Sequence, residues 1–125
     1  MSYSIRLILA FVALVAFPAA AADVTGSWTA TFATAAGQKI YTYVFRQNGA
    51  ELIGTARSQD GLVALENGSL NNKTVWFSEA VTVGGQRVVF EYTGELVSDT
   101  EIRFKRQAVG TRSPVQFVAT RIGTR

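Results

Sequence analysis

The chain contains no cysteine and no histidine among its 125 residues. Without cysteine it can form no disulfide, and it has no thiolate for catalysis or metal binding. Without histidine it lacks the usual general base and the commonest metal ligand. Zinc, haem and thiol chemistry are therefore excluded. We expect no metal or other cofactor, and an enzyme is less favoured than a binding protein.

The chain also lacks a strong excess of charge of either sign. It has 12 basic and 9 acidic residues, which give a formal net charge of +3. The densest basic stretch is Arg103–Arg106, and in a strand its side chains point alternately to opposite faces. The sequence therefore provides no single basic stripe along a phosphate backbone, and we expect no nucleic-acid binding.

Long apolar runs are absent except near the N-terminus. Arg6 precedes the unbroken apolar run Leu7–Phe17, and Ala19–Ala22 supply small residues for cleavage. This order predicts a secretory signal peptide over residues 1–22, because the run is shorter than the roughly 20 residues that span a bilayer. We expect a single domain over residues 23–125, located in the periplasm or outside the cell and not in a membrane after cleavage. A secreted domain without disulfides favours a bacterial source.

No helical period follows this leader, and turn-forming residues instead recur at the spacing of an all-β domain. Seven short turns separate eight strands, so that neighbours in sequence should pair antiparallel. Glu66–Gly68 predicts a bulge inside the fourth strand. The predicted strands are 24–34, 38–47, 51–58, 62–70, 73–83, 86–97, 101–108 and 114–122.

Each predicted strand alternates between an apolar and a polar face. Because every strand has one apolar face, the domain needs one shared core. Eight strands with short connections supply it by closing into an up-and-down antiparallel barrel, which also removes the sheet edges. A β-sandwich is the alternative. A barrel that faces lipid is not expected, since the second face is rich in threonine, arginine and glutamate.

Two segments carry a likeness to a known group of proteins. Val24–Trp28 (VTGSW) opens the first strand, and Gly49–Ser58 (GAELIGTARS) combines a turn with Leu-x-Gly-Thr. They resemble the calycin barrels, the lipocalins and avidins. The resemblance implies that Trp28 closes one end of the barrel and that Arg121 lies across its indole, a favourable cation–π contact. Trp76 is the one counterpart to the biotin-contacting tryptophans of avidins, so the resemblance implies an architecture and no particular ligand.

Five polar residues fall on the apolar face and are candidates for a site. Tyr41, Tyr43, Glu79, Tyr92 and Arg106 all alternate with apolar residues of their strands. A buried charge is costly unless it is paired, so we expect the glutamate and the arginine to pair or to share a network with the tyrosines. These five residues would line a ligand pocket. The alternative is that the two charges reach water at strand ends or cap the core.

Several apolar residues break the pattern of the polar face. If they cluster, they form an interaction patch for a homodimer or a partner protein. If they are scattered, they need no explanation. They are Ile40, Val44, Ile53, Trp76, Val89 and Val118.

The sequence thus predicts a secreted, non-enzymatic β-barrel that binds a small, partly apolar ligand in its interior. The alternative is a filled barrel that binds a protein or a polysaccharide through its outer surface. An interior cavity of about 300 Å³ or more would favour the ligand-binding barrel. A packed interior would favour the barrel that binds through its outer surface. An enzyme that uses Glu79 with a tyrosine is a third reading.

Overall fold

The structure is a computed structural model that describes residues 23–123, and these residues form strands and no helix. The predicted signal peptide, residues 1–22, lies outside the described residues. Residues 23–123 contain no helix that is long and apolar enough to cross a membrane. The strands are β1 Gly26–Thr34, β2 Gly37–Asn48, β3 Glu51–Ser58, β4 Gly61–Ala64, β5 Glu66–Asn71, β6 Thr74–Val83, β7 Gln86–Ser98, β8 Glu101–Ala108 and β9 Val115–Gly123.

The strands close into one antiparallel barrel with up-and-down order. β1, β2 and β3 pair in chain order, as do β6, β7, β8 and β9, and β9 returns to pair with β1. β4 and β5 share one place in the wall between β3 and β6, so the barrel has eight strand positions. The predicted eight-stranded barrel is confirmed, and the β-sandwich is wrong.

The predicted bulge in the fourth strand is where β4 and β5 separate. The pairing of β5 with β6 shifts register here, and Asn67 adopts a positive φ of 53°. Gly68 is required at this point because a Cβ atom would collide with the carbonyl oxygen of Leu52 on β3. Leu65, between the two strands, still donates its amide hydrogen to the Gly54 carbonyl at 2.9 Å. The wall therefore bends without opening.

Alternate side chains of the strands fill the interior of the barrel. Aromatic rings pack against each other across it, with neighbouring centroids between 4.3 and 6.4 Å apart. The buried hydrophobic residues are Val24, Trp28, Ala30, Phe32, Tyr41, Tyr43, Phe45, Leu52, Ala56, Leu70, Val75, Phe77, Tyr92, Leu96, Ile102, Phe104, Phe117 and Ala119.

The two ends of the barrel differ. At one end the segment before β1 folds over the interior, and Val24 is fully buried there. We call this the closed end. At the other end, inward side chains are only half buried because no segment of residues 23–123 covers them. They are Val63, Leu65, Val81, Val88, Phe90 and Val115.

Candidate functional site

The five polar residues that were predicted to face inward meet in the interior of the barrel. Tyr41 and Tyr43 come from β2, Glu79 from β6, Tyr92 from β7 and Arg106 from β8. Each lies on the inward side because it alternates with buried apolar residues of its strand. All are buried, and the two charged residues retain only 1% and 6% exposure. The alternative that they reach water at strand ends is therefore wrong.

The carboxylate of Glu79 is held by two phenols and one guanidinium. The Tyr92 hydroxyl donates to Oε1 at 2.6 Å, and the Tyr41 hydroxyl donates to Oε2 at 2.9 Å. Arg106 Nη2 lies 3.5 Å from Oε1. Each carboxylate oxygen thus has a hydrogen-bond donor, and the negative charge has a buried cation beside it.

The remaining hydrogen bonds complete this network. Arg106 donates from Nε to the Tyr92 hydroxyl at 2.8 Å and from Nη2 to the Tyr41 hydroxyl at 3.4 Å. The Tyr43 hydroxyl donates to that of Tyr92 at 3.1 Å. The Phe90 ring covers the guanidinium, with its centroid 3.6 Å from Cζ. Throughout the described part of the chain, every fully buried side-chain nitrogen and oxygen has a partner, so the network is satisfied without a ligand.

Burial raises the pKa values of the three inward tyrosines. Burial raises the pKa of Tyr41 to about 12, and the nearby charge of Glu79 adds to this effect. Burial also raises the pKa values of Tyr43 and Tyr92 well above 10. Burial by itself lowers the pKa of Arg106, but interactions with Tyr92 and then Tyr41 and Glu79 outweigh it, so the net direction is upward. At neutral pH the phenols are neutral donors and the arginine is a cation.

At the closed end, Trp28 and Arg121 form a second cluster. Arg121 Cζ lies 4.5 Å from the centroid of the indole ring. Its guanidinium donates to the carbonyls of Asp23, Thr25 and Asp99 at 2.9, 2.7 and 2.7 Å. The indole Nε1 in turn donates to the Val24 carbonyl at 2.9 Å. This is the arrangement of arginine across indole that the calycin resemblance implies.

Two open grooves lie on the outside of the barrel. The first, which we call the outer groove, has a volume of about 570 Å³. It is lined by Thr74, Thr93, Gly94, Glu95, Arg103, Phe104, Lys105, Gln116, Phe117 and Val118. The second, which we call the end groove, lies at the closed end and has a volume of about 960 Å³. It is lined by Asp23, Gln47, Gly49, Ala50, Leu70, Asn71, Asn72, Lys73, Thr74, Glu95, Leu96, Val97, Ser98 and Asp99.

The two grooves are adjacent to each other and separate from the interior network. Thr74 and Glu95 line both of them. None of the five inward polar residues lines either groove. The accessible space at these two places therefore does not reach the polar groups that the sequence singled out.

Most side chains that line the outer groove point outward from four neighbouring strands. Thr93 on β7 lies opposite Lys105 on β8, which lies opposite Gln116 on β9. On its other side, Thr93 lies opposite Trp76 of β6. The Trp76 side chain is 39% exposed. An exposed aromatic ring thus stands beside a row of hydrogen-bonding side chains.

The fold and these sites define the class of protein: a closed eight-stranded antiparallel barrel, which fits a calycin-like fold. Among residues 23–123, no group of three or more acidic side chains is placed to hold a metal ion. In comparisons with known proteins, no protein family, no curated protein and no solved structure matches this chain. The likeness to calycins therefore rests on the barrel and on the Trp28–Arg121 contact.

The sequence placed the inward residues correctly but did not find the grooves. Strand alternation places Glu95, Arg103, Lys105 and Gln116 on the polar face, but nothing in the sequence distinguishes them from its other members. Their only sequence signal is that outward polar residues recur on successive strands. The ligand-binding role of Tyr41, Tyr43, Glu79, Tyr92 and Arg106 stays a prediction, because the structure shows these residues bound to one another.

Proposed function

We propose that this protein is a secreted, non-enzymatic module that binds a polysaccharide along the outer wall of its barrel. The observation that carries the proposal is that the outer and end grooves lie side by side, with Thr74 and Glu95 lining both. A small ligand favours a pocket that encloses most of its surface. Two adjacent grooves that are open to solvent suit an extended polymer better.

The lining of the outer groove has the chemistry that a sugar chain needs. Glu95, Arg103 and Gln116 each present a planar polar group with more than one hydrogen-bonding atom, which matches the adjacent hydroxyls of a sugar ring. The exposed ring of Trp76, next to Thr93, offers an apolar surface for the C–H face of a sugar. Basic and acidic groups are mixed, so the groove does not require a highly charged polymer.

Binding inside the barrel is less favoured because it would have to disrupt a satisfied network. A ligand at Arg106 would compete with Glu79, Tyr41 and Tyr92 for the same donors and acceptors. Leaving one member of a buried ion pair uncompensated costs about 3–5 kcal/mol. The predicted signal peptide supports a location where the polysaccharides of the cell envelope are accessible.

The test is binding to a panel of soluble polysaccharides, measured by affinity electrophoresis and calorimetry. The protein is produced from its full-length chain in a secreting bacterial host, and mass spectrometry gives its N-terminus. Arg103→Ala changes the lining of the outer groove, and Trp76→Ala removes the exposed ring beside it. Arg57→Ala is the matched control, since Arg57 is exposed on β3, away from both grooves. Tyr43→Phe removes one interior hydroxyl and leaves the surface unchanged.

The proposal expects at least one polysaccharide to bind. Trp76→Ala and Arg103→Ala should weaken binding about tenfold or more, equivalent to about 1.4 kcal/mol, and Arg57→Ala and Tyr43→Phe should leave it unchanged. Binding that survives both groove substitutions but is lost in Tyr43→Phe would move the site to the interior. Failure of every polysaccharide in the panel would overturn the proposal.

A further inference from the structure

Charged side chains are distributed unevenly around the outer wall of the barrel. On β7 and β8 the outward positions include Arg87, Glu91, Glu95, Arg103 and Lys105, all of which are exposed. On β1 no outward position is charged. The neutral region extends from β1 to parts of the neighbouring strands β9, β2 and β3.

We call this region the uncharged face, and its residues are adjacent across four strands. Thr29 of β1 lies opposite Thr42 of β2 on one side and Thr120 of β9 on the other. Val44 of β2 lies opposite Thr55 of β3. The face consists of Ser27, Thr29, Thr31, Ile40, Thr42, Val44, Ile53, Thr55, Thr120 and Ile122.

The apolar members of this face are strongly exposed. Ile40 and Ile122 are 59% and 60% exposed, and Val44 and Ile53 are 43% and 44% exposed. Single exposed apolar residues are normal on a protein surface, but here threonines lie between them. Charges occur only at the border, where Arg57 is the register partner of Thr42 and Arg46 is that of Ile53. The centres of protein interfaces are depleted of charged residues in the same way. Nine of the ten residues are β-branched, so their side chains are stiff and lose little entropy on association.

We propose that the uncharged face is the interface between two copies of this chain. A closed barrel has no free strand edge for pairing, so two copies must pack face against face. A two-fold interface sets the same patch against itself, and a neutral face meets no like charge in its own copy. The border carries both signs, with Arg46 and Arg57 basic and Glu51 acidic, and a two-fold arrangement can bring opposite charges together.

The size of the face predicts a reversible dimer. Laid flat, four strands spaced by about 4.8 Å and about seven residues long, at about 3.3 Å per residue, cover on the order of 450 Å². Because they are four consecutive positions of an eight-position barrel, they curve round about half of the wall, and one contact covers less than this area. A standard interface buries about 800 Å² of accessible surface on each partner, and transient complexes bury less. The uncharged face therefore lies at the low end of this range, which predicts weak association. The inference does not depend on the proposed function.

The test compares two glutamate substitutions at valines of equal exposure. Val44 lies inside the uncharged face and Val97 lies on β7, outside it, and each is 43% exposed. The wild-type protein, Val44→Glu and Val97→Glu are each produced from the full-length chain. Sedimentation velocity is measured from low micromolar to submillimolar protein concentration. Thermal melting of all three proteins confirms that each is folded.

The wild-type protein and Val97→Glu should convert from monomer to dimer over this range. Val44→Glu should remain monomeric while melting at a similar temperature, because it places a charge opposite its own copy. A wild-type protein that stays monomeric at the highest concentration overturns the inference. A dimer that Val44→Glu leaves intact also overturns it, since the contact would then lie elsewhere. Polysaccharide binding, measured separately, does not affect either outcome.

Discussion

At the scale of single residues, the stability of the interior depends most on the buried pair of Glu79 and Arg106. Each charge is compensated by the other and by the hydroxyls of Tyr41 and Tyr92. Such a pair contributes less to stability than its Coulomb attraction suggests, because both charges have been removed from water. Removal of one partner is costly, however, because the other then stays buried without compensation.

We therefore expect Glu79→Gln to lower the free energy of unfolding by about 3 kcal/mol. Glutamine keeps the shape of the side chain but leaves the Arg106 cation without its carboxylate. Urea unfolding followed by tryptophan fluorescence measures the change. The control is Glu91→Gln, since Glu91 is exposed on β7, and it should shift the free energy by less than about 0.5 kcal/mol. Equal effects of the two substitutions would contradict a role for the buried charge.

The three interior tyrosines predict a loss of stability at alkaline pH. Their pKa values are raised in the folded state, to about 12 for Tyr41 and well above 10 for Tyr43 and Tyr92. An unfolded tyrosine releases its proton near pH 10, so above that pH the unfolded chain binds fewer protons than the folded one. The free energy of unfolding should then fall by about 1.4 kcal/mol per pH unit for each such tyrosine.

Absorbance at 295 nm checks this prediction directly. The fourth tyrosine of the chain, Tyr3, belongs to the predicted signal peptide. The processed protein should therefore show no phenol ionisation near pH 10 while it remains folded. Urea unfolding at pH 8 and at pH 11 should show the lower stability at the higher pH. A phenol step near pH 10 in the folded, processed protein would mean that the tyrosines are accessible to water.

At the scale of the elements, sequence alternation was sufficient to predict the strands and their faces. The period of two places Tyr41, Glu79 and Arg106 inward without any knowledge of the partners. Turn residues fixed most strand limits within one or two positions. The separation of β4 from β5 was predicted only as a bulge, because the local sequence at Glu66–Gly68 does not show how closely the β3 backbone passes.

Glycine at position 54 is another place where the sequence does not reveal a close approach between strands. A Cβ atom there would collide with the Val44 carbonyl oxygen of β2 and lie 3.0 Å from its carbonyl carbon. Both are backbone atoms, so a rotamer change cannot relieve the clash. We expect Gly54→Ala to lower the free energy of unfolding by about 3 kcal/mol, at the upper end of the usual cost of overpacking.

Chemical denaturation of two glycine variants measures this effect. Gly123→Ala is the control, because the nearest atom to its added Cβ would be the Ser27 Cβ at 3.9 Å, an ordinary contact. It should be nearly neutral. If Gly54→Ala were as stable as this control, β2 and β3 would have to be able to separate locally, and the wall would be less rigid than the structure shows.

At the scale of the whole molecule, the grooves depend on information that no single strand carries. The end groove combines residues from the turns that follow β2, β5 and β7 with Asp23 from the segment before β1. Barrel closure brings these separate turns to the same end. The alternation that predicted the interior therefore could not predict the grooves, since their positions follow from the curvature of the wall and the order of the strands.

The packing of the interior leads to a last prediction about the whole molecule. Tyr43 and Phe77, in the middle of the barrel, each contact several rings, and the polar groups near them are satisfied. A small-molecule carrier needs a cavity of about 300 Å³ or more, which would require these rings to move apart. Native mass spectrometry of the protein purified from its own host should therefore give the mass of the processed chain, or of two chains, without added ligand. A bound mass that is released on denaturation would show that the interior opens, and the five polar residues would then become the first place to look for the ligand.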